Sequence, residues 1–161
     1  MMLFMNVINT KKIFIIFLFI SNPLLSQTIK PLNTHTVVGL LEDDNSTYLV
    51  IEGCTSLYSA ITELTKKRYH DLASEFYKKA NILYPYGIIT LSKIKSIPYE
   101  EAEKIYFNST SSLTQEYIDE MNRNGEITGS FIKDSFLSAD LFFCNEITSY
   151  LQLVVLESLE K

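Results

Sequence analysis

Residues 50–64 have the sequence VIEGCTSLYSAITEL, and this stretch decides the fold class. Its apolar side chains recur every three or four residues, which places them along one face of a helix. The positions on this face are Val50, Cys54, Leu57, Ile61 and Leu64. Gly53 costs up to about 1 kcal/mol relative to alanine inside a helix, and close approach of another helix is a physical reason to accept it. We predict a helix that begins near Ser46 and carries Cys54 on its apolar face.

The same spacing continues after this helix. Residues 69–84 form a second apolar stripe, and Pro85 is expected to end it because proline lacks the N–H that a helix interior needs. Residues 86–95 then predict a shorter helical segment.

The rest of the chain is also helical in pattern. Pro98 suits the first turn of a further helix, which the Ser- and Thr-rich residues 108–112 are expected to divide in two and Asn124-Gly125 to stop. A last, long helix is predicted over residues 129–159. We therefore expect an all-α fold, a small bundle of about four to six helices.

The N-terminal segment has the three parts of a secretory signal peptide. Two lysines, Lys11 and Lys12, precede an apolar run at residues 13–20, and the small residue Ser26 stands at the exit. A membrane anchor is the alternative, but a spanning helix needs about 20 apolar residues, and a Ser-Asn-Pro sequence interrupts this run. We predict a cleaved signal peptide over residues 1–26, a periplasmic or secreted protein, and no stable membrane span after cleavage.

The remaining chain matches one domain in length. Residues 27–45 are rich in turn and strand formers and predict an extended or poorly ordered lead-in. Residues 46–161 are expected to form a single helical domain. A hairpin that pairs residues 37–41 with 48–51 is an alternative at the start of the domain, and we prefer the helix.

The charge of the chain excludes one class of partner. Removing residues 1–26 takes away two lysines and no acidic residue, so the formal net charge moves from -5 to -7. An acidic protein is poorly suited to neutralise phosphates, and we expect no nucleic acid partner. Basic residues are concentrated in residues 66–95, which can steer an encounter with a partner or simply form solvated helix faces.

Two cysteines remain after removal of the signal, Cys54 and Cys144. Exported chains meet oxidising conditions, and only one intramolecular pairing exists. A disulfide here encloses about 90 residues, which corresponds to roughly 4 to 5 kcal/mol in the chain-entropy model. The alternatives are free thiols or a metal site, which the absence of a CxxC motif and the wide separation of His35 and His70 disfavour.

No set of residues in the sequence indicates a reaction. Histidine is the usual proton shuttle, and His70 is expected at an exposed helix start while His35 lies in the lead-in. Carboxylate pairs such as Glu100 with Glu103 and Glu116 with Glu120 are typical of exposed helices. One of Asp140 and Glu146 is a candidate for partial burial beside Cys144, although an exposed edge of the helix is the preferred interpretation for both. We expect no enzyme activity, no cofactor and no metal.

Tyrosine is the remaining compositional signal. The chain has ten tyrosines and no tryptophan, and tyrosine is enriched at protein interfaces. The candidate partner surface comprises Tyr84, Tyr86, Tyr99 and Tyr106. The alternative is that these side chains complete the rim of the helical core.

The sequence Asp44-Asn45, two residues, Tyr48-Leu49 and then Cys54, with a second cysteine in the last helix, carries a resemblance to a known family. In this layout the chain broadly resembles small exported helical proteins such as the immunity proteins of type VI secretion amidase effectors. It lacks glycine-rich signatures between the helices. The resemblance implies a periplasmic protein that blocks the active cleft of a toxin, and it transfers no binding residues.

Two functions follow from these observations. The first is an exported, non-enzymatic helical protein that binds another protein, with an inhibitor or immunity-type role as its sharpest form. The second is a carrier of a small apolar ligand, with a cavity between helices lined by Phe136, Phe142, Phe143 and Tyr150.

Overall fold

The computed structural model describes residues 29–34 and 43–159, and it confirms the all-α fold. The described residues form a 3₁₀ turn and four α-helices and contain no strand. The 3₁₀ turn comprises Leu32–Thr34, and the helices are α1 (Asp44–Thr65), α2 (His70–Lys95), α3 (Tyr99–Thr128) and α4 (Phe136–Leu159). The signal peptide predicted over residues 1–26 lies outside the described residues.

Helix α1 lies at the centre of the bundle. It packs against all three other helices, α2 most extensively. The predicted apolar face is confirmed: Val50, Cys54, Leu57 and Ile61 are buried, and Leu64 is partly buried at the edge of the core. Burial extends beyond that face, because every residue from 50 to 58 is buried. Because α1 is covered on nearly all sides, several of its polar side chains are buried as well.

The prediction that Pro85 ends the second helix is wrong. Helix α2 continues through Pro85 to Lys95. Proline removes the hydrogen bond to the carbonyl of Asn81 and crowds that carbonyl, a cost of about 3 kcal/mol, while its own side chain is exposed. Leu83 and Ile88 are fully buried on either side of it, so burial along the helix outweighs the local cost.

The predicted division of the third helix is also wrong. Helix α3 runs unbroken through residues 108–112, and within this stretch the Thr110 hydroxyl donates to the Tyr106 carbonyl at 2.8 Å. Hydroxyl side chains can make this bond back to the preceding turn without breaking a helix. Asn124-Gly125 does not stop the helix either. The helix ends at Thr128, and Gly129 caps it in the left-handed conformation (φ 76°). The last helix consequently begins at Phe136 rather than at residue 129.

The start of α1 is set by its N-cap. The Asp43 carboxylate accepts a hydrogen bond from the Ser46 backbone N–H at 2.9 Å and another from the Ser46 hydroxyl at 2.6 Å. These bonds, with one from the Asn45 N–H, lower the pKa of Asp43. The helix begins at Asp44, two residues before the predicted start near Ser46. Residues 48–51 are helical, which excludes them from the alternative hairpin.

Part of the predicted lead-in packs against the bundle. Residues 27–45 were expected to be extended or poorly ordered, yet residues 32–34 form a turn and Leu32 is buried. The Leu32 N–H donates to Asp140 Oδ1 at 2.8 Å, and the Leu32 side chain lies over Gly53, where a Cβ atom would stand 2.7 Å from Leu32 Cδ2. The close neighbour that favours glycine at position 53 is therefore this leucine, not another helix.

Candidate functional site

The predicted disulfide between Cys54 and Cys144 is present and fully buried. It joins the middle of α1 to α4, with the two Cα atoms 5.3 Å apart. A disulfide is compatible with an exported protein. No helix within the described residues is long and apolar enough to cross a membrane.

The four tyrosines of the predicted partner surface do not share one exposed patch. Tyr99 is exposed, Tyr84 and Tyr86 are half-buried, and Tyr106 has no exposed area. Tyr106 is therefore excluded from any surface. Its side chain packs against α2. The Tyr106 ring contacts the Tyr84 ring, with the centroids 5.2 Å apart, and covers Gly87.

Tyr106 instead holds α3 against α1 and α2. Its hydroxyl lies 3.0 Å from the Thr55 hydroxyl oxygen on α1, to which it donates a hydrogen bond. Burial is the main cause that raises the pKa of Tyr106. A second edge-on aromatic contact, to Tyr48, completes a tyrosine cluster around it. The cluster lies beneath an open surface of the protein to which Tyr84 also belongs.

That surface is a cleft between α2 and α3, with α1 as its floor. The cleft encloses about 410 Å³. Its floor residues Thr55, Ser59 and Glu63 are spaced four residues apart on one face of α1, a length of about 12 Å. The other lining residues are Tyr77, Ala80, Asn81 and Tyr84 from α2 and Phe107, Thr110, Ser111, Thr114, Gln115 and Ile118 from α3. We call this opening the α2–α3 cleft.

The floor of the α2–α3 cleft offers mainly hydrogen-bond acceptors. The Ser59 hydroxyl donates to the Thr55 carbonyl at 2.8 Å, and beside the floor the Thr114 hydroxyl of α3 donates to the Ser56 carbonyl at 3.4 Å. These hydroxyl protons are already used, while each hydroxyl oxygen keeps lone pairs. Glu63 adds a carboxylate at the open end, where it pairs with Lys66. The floor is therefore suited to a ligand that brings N–H or O–H donors.

The edges of the α2–α3 cleft are aromatic. Tyr77 on α2 and Phe107 on α3 are each 59% exposed. Large aromatic side chains at the edge of a concave surface are the residue types that dominate the energy of protein interfaces. The cleft thus combines a polar floor with two apolar edges.

A second opening differs in chemistry. It encloses about 430 Å³ and lies at the end of the bundle where α1 meets α2. Apolar side chains line it, together with the hydroxyls of Thr65, Tyr69 and Ser130. The apolar lining residues are Ile61, Leu64, Leu72, Phe76, Met121, Phe131, Ile132 and Leu141. We call this opening the apolar pocket.

The apolar pocket is not the cavity expected from the sequence. None of Phe136, Phe142, Phe143 and Tyr150 lines it. Phe142 is 66% exposed, whereas the next residue, Phe143, is buried in the core. Successive helical residues point about 100° apart, so Phe142 points away from the face that carries Phe136, Phe143 and Tyr150, and the four side chains do not line one cavity.

Two buried carboxylates lie near the N-terminal turn. Asp140 is fully buried and Glu146 is exposed, so the residue of this pair that is buried is Asp140. Sequence reasoning missed Glu52, a buried side chain that accepts hydrogen bonds from the hydroxyls of Tyr48, at 2.6 Å, and Ser109. Tyr48 and Glu52 are four residues apart on one helix, and this spacing could have indicated that the two side chains meet. Asp140 thus links α4 to the N-terminal turn, and Glu52 links α1 to α3.

None of the other candidate catalytic residues lines either opening. His70 and Glu100 with Glu103 are exposed, and Glu120 pairs with Arg123. His35 lies outside the described residues. Within residues 29–34 and 43–159, no three His, Cys, Asp or Glu side chains are grouped to hold a metal ion.

The described residues thus form a disulfide-linked four-helix protein whose openings include a polar cleft and an apolar pocket. No family model, curated protein or solved structure matches the chain.

Proposed function

We propose that this chain is an exported, non-enzymatic helical protein that binds a segment of another protein in the α2–α3 cleft. An inhibitor or immunity-type role is the sharpest form of this proposal. The observation that carries it is the pair of exposed aromatic side chains, Tyr77 and Phe107, on either side of a concave polar floor. Export is supported by the signal-like segment and by the buried disulfide.

The dimensions of the cleft favour a short segment of a partner. The floor residues span about 12 Å, the length of about two helical turns or four extended residues. A segment of this size can place one or two anchor side chains between Tyr77 and Phe107. A partner that supplies a loop or a helix end therefore fits better than one that supplies a flat surface.

The chemistry of the floor favours a partner segment with hydrogen-bond donors. Ser59 on the floor and Thr114 on the α3 wall use their protons within the bundle, and the Glu63 carboxylate, which pairs with Lys66, keeps further acceptor lone pairs. A lysine, an arginine or free backbone N–H groups of the partner match this arrangement. The net acidic charge of the chain favours the same encounter.

The test is capture of the partner by cleft variants. Tagged protein is purified with its partners from the exported fraction of the native cells, in parallel with Tyr77→Ala, Phe107→Ala and Phe142→Ala. Phe142 is the matched control because it is an aromatic side chain exposed to a similar extent on α4. We expect Tyr77→Ala and Phe107→Ala each to lose a specific partner that the wild type and Phe142→Ala retain. Equal recovery by all three variants, or no partner with the wild type, contradicts the proposal.

A second candidate function is a carrier of a small apolar ligand. The observation that favours it is the apolar pocket, whose volume of about 430 Å³ lies within the usual range for small-molecule sites, about 300 to 1,000 Å³. Mass spectrometry of organic extracts from the purified protein tests it. We expect an apolar compound in the extract of the wild type and its loss from Leu72→Trp, which narrows the pocket. An extract without such a compound from freshly purified wild-type protein contradicts the carrier function.

A further inference from the structure

The charged residues beside the apolar pocket narrow the class of ligand that it would hold. Thr65 and Tyr69 both line the pocket, and the three residues between them are Lys66, Lys67 and Arg68, all exposed. The α1–α2 turn therefore carries three consecutive cations at the edge of an apolar opening. The basic concentration noted in residues 66–95 begins at this turn.

Most of the nearby acidic groups are already paired. Glu63 forms an ion pair with Lys66, and Glu120, beside the lining residue Met121, pairs with Arg123. Asp71 is exposed next to Leu72. In the part of the chain that the structure describes, no ion pair joins Lys67 or Arg68 to a carboxylate. These two cations are thus the groups available to an anionic ligand at this edge.

The inside of the pocket has a different character. Met121 and Leu141 lie on its walls, and no charged side chain is among its lining residues. A charged group inside would lose hydration without a partner, which is strongly unfavourable. Tyr69, Leu72 and Phe131 line the pocket and are themselves exposed, so its mouth is open to solvent. A ligand that fits places an apolar chain inside and a charged group outside.

We infer that the apolar pocket binds a single-chain anionic amphiphile, a free fatty carboxylate, with its hydrocarbon chain in the pocket and its carboxylate beside Lys67 and Arg68. This inference deepens the carrier function proposed above and rests on it. An acyl chain with an anionic head also occurs in membrane lipids. The free carboxylate is favoured because the pocket encloses only about 430 Å³, space for one chain.

Isothermal titration of the full chain, purified as the cell processes it and with its disulfide intact, tests the inference. The probes are dodecanoate, dodecanol and dodecyltrimethylammonium below their micelle concentrations. We expect dodecanoate to bind most tightly. The double variant Lys67→Gln/Arg68→Gln should weaken dodecanoate binding about fivefold, a size typical of solvent-exposed ion pairs, and leave dodecanol unchanged. The matched control Lys95→Gln/Lys104→Gln, at exposed lysines elsewhere, should change neither.

The outcomes separate the two levels of the proposal. If dodecanol binds as tightly as dodecanoate and the double variant has no effect, the carrier function stands and the anionic class is wrong. If no probe binds, and the organic extracts of the wild type and Leu72→Trp are the same, both the carrier function and the anionic class are wrong. Sedimentation with vesicles of phosphatidylglycerol covers the other source of the same chemistry. Binding to vesicles that dodecanoate does not displace overturns the free carboxylate as the ligand.

Discussion

The α2–α3 cleft and the apolar pocket both border α1, have nearly equal volumes and differ in chemistry. The cleft is lined by Thr55, Ser59 and Glu63 of α1, whereas the pocket is lined by Ile61, Leu64 and Thr65. One helix thus presents a polar stripe to one opening and an apolar stripe to the other. The difference shows that a central helix covered on nearly all sides can still line two chemically distinct openings where its neighbours separate.

The two openings also differ in what builds them. Residues of α1, α2 and α3 alone line the cleft, whereas the pocket also takes Leu141 from α4 and residues 130–132 from the α3–α4 loop. The disulfide ties α4 to α1. Perturbations of α4 should therefore affect the pocket before the cleft.

Removal of the disulfide should have the largest effect. Cys54→Ala/Cys144→Ala releases a loop with a sequence separation of 90 residues, and we expect a loss of about 4 kcal/mol in the free energy of unfolding. Guanidinium denaturation of the oxidised wild type and the double variant measures it. Any binding of dodecanoate should weaken more than partner binding does. A reductant should destabilise the wild type only and bring its midpoint to that of the variant. Equal midpoints for the two proteins without reductant contradict the expectation.

Two glycines on neighbouring helices give the next comparison. In Gly87→Ala the new Cβ would overlap the ring of the fully buried Tyr106, and we expect a loss of about 1 to 3 kcal/mol from overpacking. In Gly53→Ala the Cβ meets only the end of the Leu32 side chain, which can move. Thermal unfolding of both variants should rank Gly87→Ala as the less stable. The reverse order would show that the N-terminal turn matters more than the Tyr106 contact.

Alkaline pH tests the side of α1 that faces α4. Burial raises the pKa of Tyr58 from 10.0 to about 12, and its hydroxyl hydrogen bonds to Asn145 and Thr148 at 3.1 Å. Because the folded pKa exceeds the unfolded one, this contribution to stability is complete below pH 10.0 and is lost as the pH rises towards 12.

The measurement is the free energy of unfolding as a function of pH above neutrality. Tyr58→Phe, which cannot ionise, should show a shallower decline above pH 10.0 than the wild type. At neutral pH it should lose about 0.5 to 1.5 kcal/mol with the hydrogen bonds. Identical slopes for the two proteins would show that Tyr58 ionises equally in the folded and unfolded states.

The smallest effect on stability is expected within the cleft floor. Ser59→Ala removes a hydroxyl that is bonded only to the preceding turn, and we expect a change within about 0.5 kcal/mol together with weaker partner binding. Ser149→Ala is the matched control, since Ser149 makes the same bond at 2.8 Å on an exposed part of α4. Equal partner binding by both variants would remove Ser59 from the recognition surface.

The sequence predicted the helical class and the disulfide because both depend on local spacing and on a count of two cysteines. The helix ends were harder to predict. Pro85 and the hydroxyl-rich residues 108–112 are local signals for a break, and burial of Leu83, Ile88 and Tyr106 along the same helices outweighs them. Such residues indicate only the local free-energy cost of continuing the helix. Tertiary packing decides whether burial outweighs that cost.

The openings were not predictable in the same way. A cleft depends on where two helices separate above a third, which periodicity does not contain. One signal was present: Thr55, Ser59 and Glu63 repeat every four residues beside the apolar stripe of α1. The prediction that Tyr106 belongs to a partner surface is wrong, because composition does not distinguish a tyrosine buried between helices from one at an exposed edge.

The most direct test of the proposed protein-binding function is site-specific crosslinking. A photoreactive phenylalanine analogue replaces Phe107 at the edge of the α2–α3 cleft, and the same analogue replaces Phe142 on α4 in a control protein. Both side chains are exposed and aromatic, so the replacement is equally conservative at each position. Irradiation of the native cells should give a covalent adduct with one partner protein from position 107 and not from position 142. An adduct from position 142 alone, or from neither position, contradicts recognition of a partner through the cleft.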